Sequence, residues 1–450
     1  MRGKRGAALS TTQIILLSFL AVILLGSLLL ALPISAADGV SVAYVDALFT
    51  ATTATCVTGL VTLPTVTAWS IFGQAVILLL IQIGGLGVIT VLSGLMMALH
   101  RKMGLGDRLL LQDAFNLNTL SGLTEFLRKV ICGTLVIEGI GALLYMMVFV
   151  PEYGVRGIWI SVFTAVSAFC NAGIDILAEN SLCDYVFHPL INAVTCLLIV
   201  LGGIGYIVWW DVVRVLRERP KRPFRHLTLH SKIAILATLV LIFAGALAIF
   251  VLEYNNPLTM QEYTLPQRIG ASLFQSVTTR TAGFATLPQQ DLTNGTALVS
   301  MLLMFIGGSP VGTAGGIKTV TVVVLIASAI ATVKGRDEVT LLHRNLSKQA
   351  LRKATAVTVL SFGIAFLCAL LLSVVTDAGL LDVLYESVSA VATVGLTRGL
   401  TPLLNTAGKL TVIATMYLGR VGPISLAIAL NTKKESGNSI KNPTEEISVG

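Results

Sequence analysis

The chain is 450 residues long, 55% hydrophobic and only 12% charged, with a mean hydropathy of +0.85. Soluble globular domains carry about a quarter charged residues, so this balance excludes one and points to a polytopic membrane protein. The net charge of +8 does not signal nucleic acid, because 24 of the 31 Lys and Arg fall in five segments (1–10, 100–129, 214–232, 334–353 and 433–450) that alternate with pairs of apolar stretches. That alternation is the positive-inside pattern and predicts both termini on the cytoplasmic side.

In chain order, residues 14–33 form an uncharged run preceded by Arg2, Lys4 and Arg5. The run is too long for a signal peptide and has no small-residue cleavage site before Pro33, so it predicts a retained first span. Residues 69–99 are also uncharged, a length beyond the roughly 20 residues that cross a bilayer. Further apolar stretches lie near 130–150, 189–210, 233–252, 296–317, 354–376 and 410–430. Segment 104–127 mixes Leu109, Leu110, Phe115, Leu117 and Leu120 with Asp107, Arg108, Asp113 and Asn116, the pattern of an amphipathic surface helix. Residues 217–226 are basic and interrupted by proline and predict a short turn, whereas the mixed charge of 334–353 predicts a helix. The polar tail after Asn431 is expected to lie against a partner or to stay mobile. The six cysteines (56, 132, 170, 183, 196 and 368) have no metal-ligand spacing and read as small buried residues.

Internal similarity organises the chain. FTATTATCVTGL (49–60), FTAVSAFCNAGI (163–174), LFQSVTTRTAGF (273–284) and YESVSAVATVGL (385–396) align on Gly59, Gly173, Gly283 and Gly395. An apolar span precedes each segment. Another follows it and holds a further glycine pattern: IGGLG (83–87), LGGIG (201–205), IGGSPVG (306–312) and LGRVG (418–422). The aligned segments are too short to cross a membrane, so each repeat reads as span, half-length helix, glycine, span. Irregular backbone at membrane depth is tolerated only inside protein or beside a watery cavity, so the four segments must meet around a common interior. The expected architecture is an all-α polytopic membrane protein. Four tandem repeats give eight transmembrane helices around a central pore with pseudo-four-fold symmetry.

A cation that crosses a membrane exchanges its water for other oxygens, and rings of backbone carbonyls can supply them. Glycine reaches the backbone angles that aim carbonyls inward. Half-helices that end at such a ring would turn their negative dipole ends toward the ion. No carboxylate lies among the four residues before any of the four glycines, which favours a neutral carbonyl cage over a carboxylate ring. Packing of membrane helices also uses glycine, but four in register with matching flanks exceed what packing requires.

These residues resemble the Trk/Ktr/HKT superfamily of potassium transporters over essentially the whole chain. SVTTRTAGF (276–284) and GGSPVGTAGGIKT (307–319) carry the most specific likeness, and the length is closest to the Ktr membrane subunit. The resemblance implies repeats at 11–103, 128–217, 229–335 and 354–431. A cytoplasmic amphipathic linker would occupy 104–127, a second linker 336–353 and a cytoplasmic tail 432–450. It makes Thr58, Gly59, Ala172, Gly173, Ala282, Gly283, Val394 and Gly395 the potassium-binding filter, flanked by Val57, Asn171, Thr281 and Thr393. Glycine rather than serine at position 59 favours potassium over sodium.

The same resemblance makes 307–319 an intramembrane gating loop, with Gly312, Gly315, Gly316, Lys318 and Arg420 as its gating residues. From the residues alone, Pro310 and the surrounding glycines support an interrupted helix. The loop is not a phosphate-binding motif, since Ile317 separates glycine from Lys318. Three cations sit at membrane depth. Arg420 faces the pore constriction or pairs with Glu138, Arg280 braces filter backbone or meets the ion, and Lys318 holds the loop or snorkels toward the cytoplasm.

The implied function is channel-like potassium uptake at the plasma membrane, gated by the loop and not enzymatic. The implied assembly is a homodimer in the lipid bilayer on a cytosolic ring of RCK-type nucleotide-binding subunits, with no nucleotide on this chain and no nucleic acid. Sodium as an activator is left open. The alternative is a coupled secondary transporter of another monovalent cation or small solute, which usually shows two-fold repetition.

Overall fold

The computed structural model describes residues 10–99, 104–114, 122–336 and 338–422. One succession of elements recurs four times. The first unit holds α1 (Thr11–Leu30), α2 (Tyr44–Cys56), the single turn α3 (Thr65–Ala68), α4 (Ile71–Leu86) and α5 (Val88–Ala98). After α6 (Leu105–Ala114) come α7 (Leu123–Tyr153), α8 (Arg156–Cys170), α9 (Pro189–Gly203) and α10 (Tyr206–Glu218). The turn α11 (Pro223–His226) leads to α12 (Leu229–Glu253), α13 (Leu265–Thr278), α14 (Asn294–Phe305) and α15 (Thr319–Val333). A small hairpin of β1 (Thr340–Leu341) and β2 (Arg344–Asn345) precedes α16 (Lys348–Val375), α17 (Leu380–Ala392) and α18 (Thr406–Val421).

Polar caps set many of the helix starts. Ser10 and Gln13 form a capping box at α1, and Ser70, Thr228, Thr293, Ser347 and Asn405 each accept a hydrogen bond from a first-turn amide. Among the described residues, α1, α7, α12 and α16 are long and apolar enough to cross a membrane. They form the outer layer and leave Leu25, Leu28, Leu143, Phe243, Leu247, Phe362 and Phe366 exposed. An apolar exterior of this kind suits a hydrocarbon solvent.

The short helices α2, α8, α13 and α17 are buried inside that layer and carry the polar side chains. Thr52, Thr53, Ser167, Gln275, Thr278, Glu386 and Ser389 are all fully buried. Each following helix packs on the short helix of the next unit: α4 on α8, α9 on α13, α14 on α17 and, closing the circle, α18 on α2. Lys409 of α18 and Asp46 of α2 pair at 2.6 Å across that closure.

The structure corrects several sequence expectations. The apolar runs after Gly59 and Gly173 are not straight: α4 and α5 meet at 98°, as do α9 and α10. The breaks fall at Gly87 (φ 88°) and Gly205 (φ 96°), and hydropathy continues through both. Residues 334–353 do not form one helix. The chain turns through the β1–β2 hairpin, and only from Lys348 does it become helical, capped by Ser347. Helix α7 starts at Leu123, inside the segment expected as a linker. The basic segment 1–9, residues 115–121 of that linker and the tail 432–450 lie outside the described residues.

Glu253, at the end of α12, is fully buried and ties the connection after α12 to the start of α14. Its carboxylate accepts from Asn256 (2.6 Å), Thr259 (2.6 Å) and both the amide and hydroxyl of Thr293 (2.9 Å each). Glu253→Ala strands these donors, at an expected cost of about 3 kcal/mol. The midpoint of thermal unfolding in detergent should fall clearly, and an unchanged midpoint would contradict this role.

Candidate functional site: a ring of four glycines above a folded-back loop

The four short helices end in the same way at the centre of the molecule. Val57, Asn171, Thr281 and Thr393 are left-handed, with φ of 55°, 60°, 65° and 51°. Two residues later Gly59, Gly173, Gly283 and Gly395 again have positive φ, between 63° and 101°, while the residue between them does not. Alternation of this kind turns successive carbonyls toward one side of the strand, which a regular extended chain cannot do. A left-handed residue other than glycine costs roughly 1–2 kcal/mol, so all four ends hold a strained conformation.

In the first, second and fourth units the strain is fixed by a doubled cap. The amide of the residue before the glycine bonds back to the helix (Thr58 to Thr53 at 2.8 Å, Ala172 to Ser167 at 2.8 Å, Val394 to Ser389 at 2.9 Å), and the left-handed residue bonds beside it. The hydroxyls of the same three residues accept from Gly59 (2.9 Å), Ile174 (3.1 Å) and Gly395 (3.1 Å). In the third unit Thr278 instead donates to the Phe284 carbonyl at 2.6 Å. The sequence reading missed these hydroxyl staples. Their signal is a Ser or Thr six residues before three of the four glycines.

The glycines form a closed ring. A methyl group on Gly173 would sit 2.5 Å from the Ala282 carbonyl oxygen, and one on Gly283 would sit 2.5 Å from that of Val394. On Gly59 it would collide with the Ala172 carbonyl, and on Gly395 with that of Thr58. Each glycine therefore takes the carbonyl of the next unit in one rotational sense, and the fourth closes on the first. The second glycine pattern has a separate purpose. Gly84, Gly202 and Gly419 lie against the carbonyls of Thr55, Phe169 and Val391, all four residues before a ring glycine, so the following helix can back directly onto the last turn of the short one.

Against one side of the ring lies segment 306–318, which interrupts α14 and α15. The amides of Ser309 and Thr313 donate to Gly203 and Gly202 (2.8 and 3.1 Å), and Tyr206 donates to Val311 (2.8 Å). Gly316 is left-handed at φ 65°, and Gly312 stands where a methyl group would come 2.8 Å from the Gly202 oxygen. The Lys318 ammonium turns back on the loop and donates to Ala314 (2.6 Å) and Gly315 (3.5 Å).

The arginines have partners that the sequence did not indicate. Arg420 donates to the carbonyls of Thr313 and Gly84, both at 2.6 Å, and so ties the loop to the first and fourth units. It makes no ion pair with Glu138, which instead accepts from Gln82 (3.2 Å) and Cys170 (3.7 Å). Arg280 does not brace filter backbone. Its guanidinium reaches Thr238 and the Gly307 carbonyl, both at 3.4 Å, at the start of the loop. No cluster of three or more His, Cys, Asp or Glu that could hold a metal occurs among the described residues. The oxygens gathered at the ring are those of the backbone.

Known proteins resemble this chain in sequence and fold. Residues 4–442 match the TrkH family, described as cation transport proteins. The chain is 40% identical over 439 residues to Ktr system potassium uptake protein B of Bacillus subtilis, covering 97% of this chain and 96% of the relative. It is 37% identical to potassium/sodium uptake protein NtpJ of Enterococcus hirae, covering 98% of each. Its fold superimposes on the crystal structure of the potassium transporter TrkH from Vibrio parahaemolyticus with a TM-score of 0.75 at 17% identity, covering 96% of this chain and 87% of that one. The chain belongs to the TrkH family of cation transport proteins.

Proposed function

We propose that this chain takes up potassium ions across the plasma membrane through the ring of Gly59, Gly173, Gly283 and Gly395. The observation that carries the reading is the closure of the ring, in which each glycine lies against the carbonyl of the next unit. The carbonyls of Thr58, Ala172, Ala282 and Val394, with those of the glycines, replace the ion's water. The ends of α2, α8, α13 and α17 each add about half a negative charge toward them. Absence of a carboxylate from the ring suits a monovalent ion. Val57, Asn171, Thr281 and Thr393 brace the strands from behind.

In this reading each unit crosses the bilayer twice, with the basic segments and both termini in the cytoplasm. Segment 307–319 is the gate beneath the filter, and Gly312, Gly315, Gly316, Lys318 and Arg420 are the residues that shape and hold it. Two observations support it: the loop bonds to the second unit, and Arg420 bonds to the loop. The relatives named as Ktr system proteins support a membrane subunit that works with other components. We take these to be a second copy of the chain and a cytosolic RCK-type ring, which binds the regulatory nucleotide in place of this chain. The relative named for potassium and sodium uptake makes sodium a second ion to test, as substrate or activator.

Expression with the regulatory partner should restore growth of a potassium-uptake-deficient strain on limiting potassium and should give saturable rubidium uptake. Folded protein that does neither contradicts the proposal. Gly59→Ser places a side chain against the Ala172 carbonyl, and the preference for potassium over sodium should drop on the order of tenfold, a loss of about 1.4 kcal/mol. Unchanged ion competition would remove Gly59 from the filter. Arg420→Ala frees the Thr313 and Gly84 carbonyls, and flux measured without the regulatory partner should rise several-fold. An unchanged flux in folded protein would remove Arg420 from the gate.

A further inference from the structure

We propose that Asn171, Thr281 and Thr393, the three polar left-handed residues behind the ring, form the seat on which the 306–318 loop closes. The inference rests on the reading of that loop as the gate and names what it closes against.

Glycine would adopt the left-handed conformation at these positions without strain, yet a side chain is present at every one. In the first unit the side chain is apolar, and Val57 packs against α4, 3.0 Å from where a methyl group on Gly84 would lie. The other three are polar and all meet the loop. The Thr313 hydroxyl is 3.1 Å from both Asn171 Oδ1 and the Phe169 carbonyl. The Gly315 amide donates to the Thr281 hydroxyl at 3.2 Å. Thr393 faces the same glycine, where a methyl group would strike its hydroxyl and come 2.6 Å from the Ala392 carbonyl. At Gly315 the loop lies against both Thr281 and Thr393, and only a residue without a side chain fits there.

Thr313 is gripped twice, by Arg420 at its carbonyl and by Asn171 at its hydroxyl. The two grips come from the fourth and second units, and Thr281 of the third unit holds Gly315 instead. Among the described residues, Asn171 Nδ2 and Thr393 Oγ1 are buried with no hydrogen-bond partner, so the loop satisfies the seat only in part. Such a contact can close and still release, because leaving it exposes polar groups that water accepts. The residues that brace the filter strands thus also sense the position of the loop.

The test uses the full chain reconstituted in liposomes without a regulatory subunit. Thr281→Val keeps the shape and removes the hydroxyl, and Asn171→Ala removes the bond to Thr313. Loss of one buried hydrogen bond should shift the closed–open balance about three- to tenfold, seen as that increase in rubidium flux with the potassium-to-sodium ratio retained. Thr281→Ser keeps the hydroxyl, so the bond from Gly315 and slow amide exchange at Gly315 should be retained. Folded variants with unmodified flux overturn the proposal, as does lower flux with an altered ion ratio, which would assign these side chains to the filter alone. If Asn171→Ala does not fold, Thr313→Val removes that bond from the loop side, together with the contact to the Phe169 carbonyl. Amide hydrogen exchange reads the seat whether or not the chain carries ions. In Thr281→Val, exchange at Gly315 and Thr313 should quicken, and unchanged exchange at both overturns the seat. If exchange quickens but no protein carries rubidium, the proposed transport function fails and the seat stands.

Discussion

The fold depends on the contact between each ring glycine and the carbonyl that precedes the next one. It is the closest approach of four separate segments, and a single methyl group would break it at any of the four positions. Everything behind the ring keeps that backbone in place. The left-handed residues set the turn, the hydroxyls of Thr53, Ser167 and Ser389 staple it, and Gly84, Gly202 and Gly419 let the next helices press against it. In the proposed function, this closely packed ring of main-chain oxygens is a rigid ligand set. Rigid placement of dipoles is what allows an environment of neutral groups to replace ion hydration.

This arrangement inverts the polarity of a soluble protein. Hydroxyls and amides cluster on α2, α8, α13 and α17 at the centre, and leucine and phenylalanine of α1, α7, α12 and α16 face outward. The units share an order but not a chemistry. The third has lost the doubled cap and carries the 306–318 loop where the first two units bend at a single glycine, and the fourth has placed an arginine where the first two have glycine. Those two departures meet each other, since Arg420 of the fourth holds Thr313 of the third. Symmetry supplies the ring, and its local violation supplies the structure beneath.

Much of this was legible in the sequence because it is periodic. Four glycines at nearly constant spacing, with matching flanks, mark the ring, and Pro310 among glycines marks the loop. The bends at Gly87 and Gly205 were not legible, since the apolar run continues across them and hydropathy carries no direction. The partners of Arg420 and Arg280 were hidden for another reason. A charged side chain suggests a charged partner elsewhere in the chain, but here both reach backbone carbonyls, which every residue has. Glu138 was the wrong candidate for that reason. The hairpin before α16 was misjudged because mixed charge fits a solvated helix and a solvated turn equally well.

The central claim is that a dehydrated monovalent cation rests among the carbonyls of Thr58, Ala172, Ala282 and Val394. Anomalous diffraction from crystals grown with rubidium or thallium tests it most directly. The account predicts an anomalous peak on the axis of the ring, within coordination distance of those oxygens, that weakens when sodium replaces the heavier ion. A ring without a peak, with the ion found at another site, would contradict it.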